Sequence, residues 1–256
     1  MRNLLKVFGL IALAAVIGFS ITSCPEPEDE GGPTTFGDKL EFSNEQVYEI
    51  EASDDYTVKY KPYTGEDRTG ISVCGAVPKI VGGKFSFSVG VPAYQYLKGI
   101  DKMFSSDYKD EGIFTGIFTD VNISDSTARF VILSFDMPSS SGSSGFEVGR
   151  GNLEYSNIKT SGEDIISGSI TYEIVYFVYV DKPVKITGKG NSNYNDLNLS
   201  LAKGWNTVCT KSVTSFSSSG SSYTYTFSVS NPSSVKWSVI GYWIAFGGGY
   251  GDDEDD

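Results

Sequence analysis

Lys84-Phe85-Ser86-Phe87-Ser88-Val89-Gly90-Val91 decides the fold class. Phe85, Phe87, Val89 and Val91 alternate with small or polar residues, four successive matches to the two-residue period of a half-buried strand. Gly82-Gly83 in front supplies a turn, and Pro92 behind stops the run. The same pattern recurs along the chain. Val47-Tyr48-Glu49-Ile50-Glu51 and Tyr56-Thr57-Val58-Lys59-Tyr60 read as strands about the turn Ser53-Asp54-Asp55, and Ile71-Ser72-Val73-Cys74 follows a polar loop over 62–70. Residues 113–117 and 128–135 are further candidates, the latter nearly all apolar and so central. Beyond them come 170–180, 184–187, the alternating Leu197, Leu199 and Leu201, and 204–209. Tyr223, Tyr225, Phe227 and Val229, then Val235, Trp237 and Val239, complete the set. One stretch departs from this period. Tyr94, Leu97, Ile100 and Met103 recur at every third position and predict one short amphipathic helix over 93–104, with Gly99 inside it.

Composition agrees. Sixteen Tyr and 16 Phe against three Met favour sheet over helix bundle. About ten to twelve short strands punctuated by Gly, Asn, Asp and Ser, with no repeat period, predict an all-β fold: an antiparallel β-sandwich or barrel with at most one short helix. Residues 37–246 would form this domain. The run Ser139-Ser140-Ser141-Gly142-Ser143-Ser144-Gly145 is either a loop or a linker between two halves split near 138–145.

The N-terminus carries a different message. Arg2 and Lys6 precede an uninterrupted apolar run over 7–19, and Ser20-Ile21-Thr22-Ser23-Cys24 closes it with small and polar residues. An apolar core of about 13 residues falls short of the roughly 20 that a membrane-spanning helix needs, so 1–23 reads as a cleaved export signal. Ile21-Thr22-Ser23-Cys24 resembles the lipobox of bacterial lipoproteins, which implies lipidation of the Cys24 sulfur and cleavage in front of it. Two or more acyl chains anchor firmly, at about 0.8 kcal/mol per buried CH₂. Residues 24–36 follow as a flexible acidic tether: Pro25, Pro27 and Pro33 with Glu26, Glu28, Asp29 and Glu30 offer no periodic apolar residue to bury. Pro25 stands where an aspartate would hold a lipoprotein at the inner membrane, so the resemblance favours the outer one or the cell surface.

Charge narrows the partners. The signal holds two of the 20 basic residues and none of the 32 acidic ones, which leaves the mature chain near −14. That balance argues against nucleic acid and against a basic patch on anionic headgroups. With no histidine anywhere, the commonest general base, the usual zinc ligand and the middle member of familiar triads are all missing. Cys74 and Cys209 either pair in an oxidising envelope, closing a loop of about 135 residues for a gain near 5 kcal/mol, or stay as two buried thiols.

Other motifs are weak. Gly248-Gly249-Tyr250-Gly251-Asp252-Asp253 matches the start of a calcium-binding repeat, but a single copy lacks stacking neighbours and Asp255 sits where an apolar residue belongs. Residues 247–256 therefore read as a disordered acidic tail without a metal site. Gly142-Ser143-Ser144-Gly145 lacks the spacing of a nucleophile elbow, Gly188-Lys189-Gly190 lacks the third glycine of a dinucleotide loop, and Glu163-Asp164 reads as a turn. No pair among the acids is singled out for glycosidase work. In Gly204-Trp205-Asn206 the residues suit a turn, a large apolar anchor and a local backbone bond, so the piece reads as structure.

Two stretches carry a wider resemblance. Gly83-Lys84-Phe85-Ser86-Phe87-Ser88-Val89-Gly90-Val91-Pro92 is one. The other runs from Tyr179-Val180-Asp181-Lys182-Pro183-Val184-Lys185-Ile186-Thr187-Gly188 to Leu197-Asn198-Leu199-Ser200-Leu201-Ala202-Lys203-Gly204-Trp205-Asn206. Together they resemble segments of uncharacterised cell-envelope lipoproteins of spirochaetes and Bacteroides-type bacteria, with Ala202 in place of a common lysine. The resemblance implies a location and no reaction. The expectation is a lipid-anchored envelope protein with a binding or structural role, no enzymatic site and no cofactor, held to the membrane through Cys24 and meeting a protein or glycan partner at the surface. The alternatives are a barrel holding a small apolar ligand and a polysaccharide hydrolase.

Overall fold

The computed structural model describes residues 35–52, 58–104, 114, 117–137, 151–161 and 168–240. Cys24 with the expected signal before it, the 139–145 run, Glu163-Asp164 and the acidic tail lie outside the described residues. Strands dominate. The first half carries β1 (Thr35–Gly37), β2 (Leu40–Ala52), β3 (Val58–Pro62), β4 (Arg68–Thr69), β5 (Lys79–Val81), β6 (Lys84–Val89), β7 (Lys98–Gly99), β8 (Thr119–Ile123), β9 (Arg129–Ile132) and β10 (Asp136–Met137). The second carries β11 (Gly151–Ser161), β12 (Ser169–Val180), β13 (Val184–Lys189), β14 (Leu197–Leu201), β15 (Gly204–Ser217), β16 (Gly220–Ser228) and β17 (Lys236–Ile240).

The alternation in β6 is borne out: Phe85, Phe87 and Val89 are buried while Lys84 and Ser88 face water. Gly82 and Gly83, at φ 55 and 72, form the two-residue hairpin that joins it to β5, a turn whose two left-handed positions suit glycine. Val91 lies past the end of β6 and is exposed. The helix expected over 93–104 is replaced by two 3-10 segments, Tyr94–Tyr96 and Ile100–Phe104, with β7 between them. The spacing explains the correction, because three residues is the period of a 3-10 turn and falls short of the α-helical 3.6. Of 113–117 only Phe114 and Ile117 are described, and both stand in turns.

Among the described residues fourteen strands form one sheet, whose main path runs β1-β15-β12-β11-β17-β2-β6-β5-β4 and stops at both ends without closing. A three-stranded sheet, β14-β13-β8, lies beside it. The fold is thus all-β and sandwich-like with open sheets, not a barrel. Among the described strands all pairings are antiparallel except that of β17 with β2. Strands from both sides of 138–145 share the larger sheet.

β2 is the corner of that sheet. Its first half pairs with β6, its middle with β17 and its second half with β3. The register slips between Phe42 and Glu45, where Asn44 sits at φ 58. Such a bulge bends and twists the strand, and asparagine tolerates the left-handed position. The bend carries β6 across β12 and β17, so that Phe42 meets Phe177 at 5.0 Å and Phe85 meets Trp237 at 4.3 Å between ring centres. This aromatic layer is one core.

The second core lies on the opposite face of β12. Val178, Val180, Val208 and Phe227 pack there against Val184, Ile186, Leu197, Leu199 and Leu201 of the smaller sheet, with Ile100, Met103 and Phe114 closing the side. The last four residues of β12 are therefore all buried, as a strand covered on both faces requires.

No disulfide joins Cys74 and Cys209. Both sit with the aromatic core, Cys209 buried in β15 and Cys74 half-buried at φ 50 in the turn closed by Val73 and Ala76. Burial pushes the Cys74 thiol up, away from its reactive thiolate form.

Candidate functional site

The larger sheet forks beside β12. Along one edge, β12 pairs with β11 from Ser169 to Ile174 and with β9 from Val178 to Val180. Between them the chain over 132–137 leaves β12 and crosses to β11. Leu133 N–H still donates to the Phe177 carbonyl at 3.0 Å, whereas Leu153 N–H donates to Phe135 at 3.1 Å and Asp136 pairs with Asn152. The diverging ladders leave a gap occupied by a pocket of about 400 Å³, within the range of small-ligand sites.

The strand pleat determines its lining. Leu133, Phe135, Leu153, Val175, Phe177 and Trp237 project to the aromatic core and form an apolar floor. Ile132, Ser134, Glu154, Ile174 and Tyr176 project to the other face, where Ser134 is exposed and the rest half-buried, and form the mouth. Among the described residues of the lining, Glu154 is the single carboxylate.

Glu154 belongs to a small polar group. Tyr172 Oη donates to Glu154 Oε2, and the register, which sets Tyr172 opposite Ile158, takes its ring across Ser156. Ser156 is wholly buried, and among the described residues its hydroxyl makes no hydrogen bond of good geometry, although it lies close enough to Tyr172 to favour the phenolate slightly. Loss of hydration holds the Glu154 carboxyl above its ordinary range, and the bond from Tyr172 offsets part of this. Burial, then the Glu154 charge, pushes both Tyr172 and Tyr176 up, so the phenols stay protonated donors. The group can therefore offer a hydrogen bond at the lip of an apolar pocket.

A pH dependence follows. The folded carboxyl holds its proton more tightly than the unfolded one, so its contribution is full below the ordinary value of 4.5 and is lost as pH rises through the raised folded value. Glu154→Gln, which still accepts from Tyr172, is expected to raise the urea midpoint at pH 7 and to leave it unchanged in acid. A lower midpoint for the variant at pH 7 would contradict this.

Glu173, on the opposite face, is a structural carboxylate. It is buried and accepts from Asn157 Nδ2 at 3.1 Å and Ser234 Oγ at 3.2 Å, with Lys211 Nζ at 3.5 Å.

Gly204-Trp205-Asn206 lies away from the pocket and is structural. Trp205 is wholly buried and donates from Nε1 to the Gly90 carbonyl at 3.1 Å. Asn206 ties both backbone groups of Ala202 and the Gly204 carbonyl. Gly204 takes φ 103, and a Cβ there would lie 2.4 Å from the Gly37 oxygen. In Gly188-Lys189-Gly190, Lys189 forms an exposed ion pair with Asp196. Among the described residues no group of three or more His, Cys, Asp and Glu could hold a metal ion, and no helix is long and apolar enough to cross a membrane.

None of the pocket's polar residues stood out in the sequence. The signal present was the alternation Leu153, Tyr155 against Glu154, Ser156, which places an acid and a hydroxyl on the face opposite two core residues. No family model, curated protein or solved structure matches this chain.

Proposed function

We propose that this chain is a cell-envelope lipoprotein, exported and held by lipid on Cys24 at the outer membrane or cell surface, and that it acts by binding and not by catalysis. Its ligand is a small, largely apolar molecule carrying one hydrogen-bonding group, seated where the sheet forks. The observation that carries this reading is the pocket, with an aromatic and aliphatic floor, Glu154 and Tyr176 at its lip, and Tyr172 bonded to Glu154 behind them. Hydrolysis of a glycan would call for two carboxylates roughly 5–10 Å apart, and among the described residues of the lining Glu154 stands alone.

The test is titration with N-phenylnaphthylamine, a neutral fluorophore that brightens in apolar surroundings. Saturable uptake at one site is expected for the wild type, and strong loss of uptake in Ser134→Trp, which plugs the mouth from an exposed position. Uptake that never saturates, or that Ser134→Trp leaves intact, rejects the pocket as the binding site.

A further inference from the structure

The body has an aromatic and aliphatic patch at the end where the chain from Cys24 joins it. β1 pairs with Trp205 and Asn206, whose strand is tied to Gly90 through the Trp205 indole, and β2 begins with Leu40 opposite Val89. The junction therefore lies beside the Gly90-Val91 corner. At this corner Val91 is 57 %, Tyr94 68 % and Tyr96 37 % exposed. β5 runs antiparallel to β6, so the residues preceding Lys79 extend toward the same end. Among them Ile71 is 50 % and Val77 41 % exposed. The Tyr96 hydroxyl reaches to within 4.0 Å of where a Cβ on Gly75 would stand, which joins the two loops into one surface. Arg129 lies 4.3 Å over the Tyr94 ring and donates from Nη1 to the Leu97 carbonyl, so a cation is fixed among the tyrosines.

We infer that this patch rests in the headgroup region of the bilayer that carries the Cys24 lipid. The inference stands on the lipid-anchor reading above. Only residues 25–34 separate Cys24 from β1, and fully extended they span at most about 36 Å. So short a connection keeps the patch at an effective concentration in the millimolar range, where even weak contacts are populated. Tyrosine suits the membrane interface, its ring in the apolar zone and its hydroxyl in water. A body near −14 gains nothing from anionic headgroups, so an apolar and aromatic contact is the kind it can make with a lipid surface.

Tyr94→Trp protein expressed with its full N-terminal segment and reconstituted into phosphatidylcholine vesicles with and without brominated acyl chains tests this. Tyr223→Trp, at a position 46 % exposed on β16, is the comparison. Both variants should float with the vesicles, and bromine should reduce the emission of the Tyr94→Trp protein well below that of the Tyr223→Trp protein. Flotation with equal emission from the two overturns the patch while leaving the anchor standing. Failure of both to float sinks the anchor reading, and the patch inference with it.

Discussion

Trp237→Ala should remove about 4 kcal/mol of stability, the range for emptying a buried tryptophan site, from a domain whose total is of the order of 5–15 kcal/mol. Trp237 is 3 % exposed and is the hub of the aromatic core. Its ring centre lies 4.3 Å from that of Phe85, 4.9 Å from Phe42, 5.0 Å from Tyr155 and 5.4 Å from Phe135. These neighbours come from β2, β6, β11 and the 132–137 crossing, so one side chain holds β2 and β6 against β11 and the crossing. Edge-to-face pairs add about 0.5–1.5 kcal/mol each beyond area burial. Because Trp237 also floors the pocket, truncation lets water reach the core from the fork, and the surroundings gain little by collapsing. A large fall in the urea midpoint is expected, together with loss of fluorophore uptake. A fall of less than about 1 kcal/mol would mean that the aromatic layer is not the main core.

Cys24→Ala is expected to abolish incorporation of labelled palmitate and to release the protein from membranes on alkaline washing. Without the thiol no thioether to a diacylglycerol forms, and each buried CH₂ of its acyl chains is worth about 0.8 kcal/mol of anchoring. The apolar run over 7–19 offers about 13 residues against the roughly 20 of a spanning helix, so it makes a poor substitute. A variant that keeps its label, or that stays bound as firmly as the wild type, argues for an attachment elsewhere in the chain.

The fold class was legible where one face of a strand is buried and the other wet. Phe85, Phe87 and Val89, and likewise Leu197, Leu199 and Leu201, alternate in the sequence because they alternate in the sheet. The second half of β12 was legible as strand for a different reason, being apolar on both faces between two cores. Residues 94–103 misled because a period of three lies nearer to a helix than to a strand, although it belongs to 3-10 turns. The pocket was hidden for a deeper reason. It exists because 132–137 transfers from β12 to β11 partway along, a long-range pairing that no local spacing records. Glu154 and Tyr172 become a pair only when β11 and β12 are in register. Gly204-Trp205-Asn206 was readable as structure because each residue meets a local need, and its partners Gly37, Gly90 and Ala202 bear that out.

Mass spectrometry of the protein taken from its own membranes tests the anchored-lipoprotein reading most directly. The expected result is a polypeptide that begins at Cys24, with a diacylglycerol thioether on its sulfur. A chain that begins at Met1, or one with an unmodified Cys24 thiol, contradicts it.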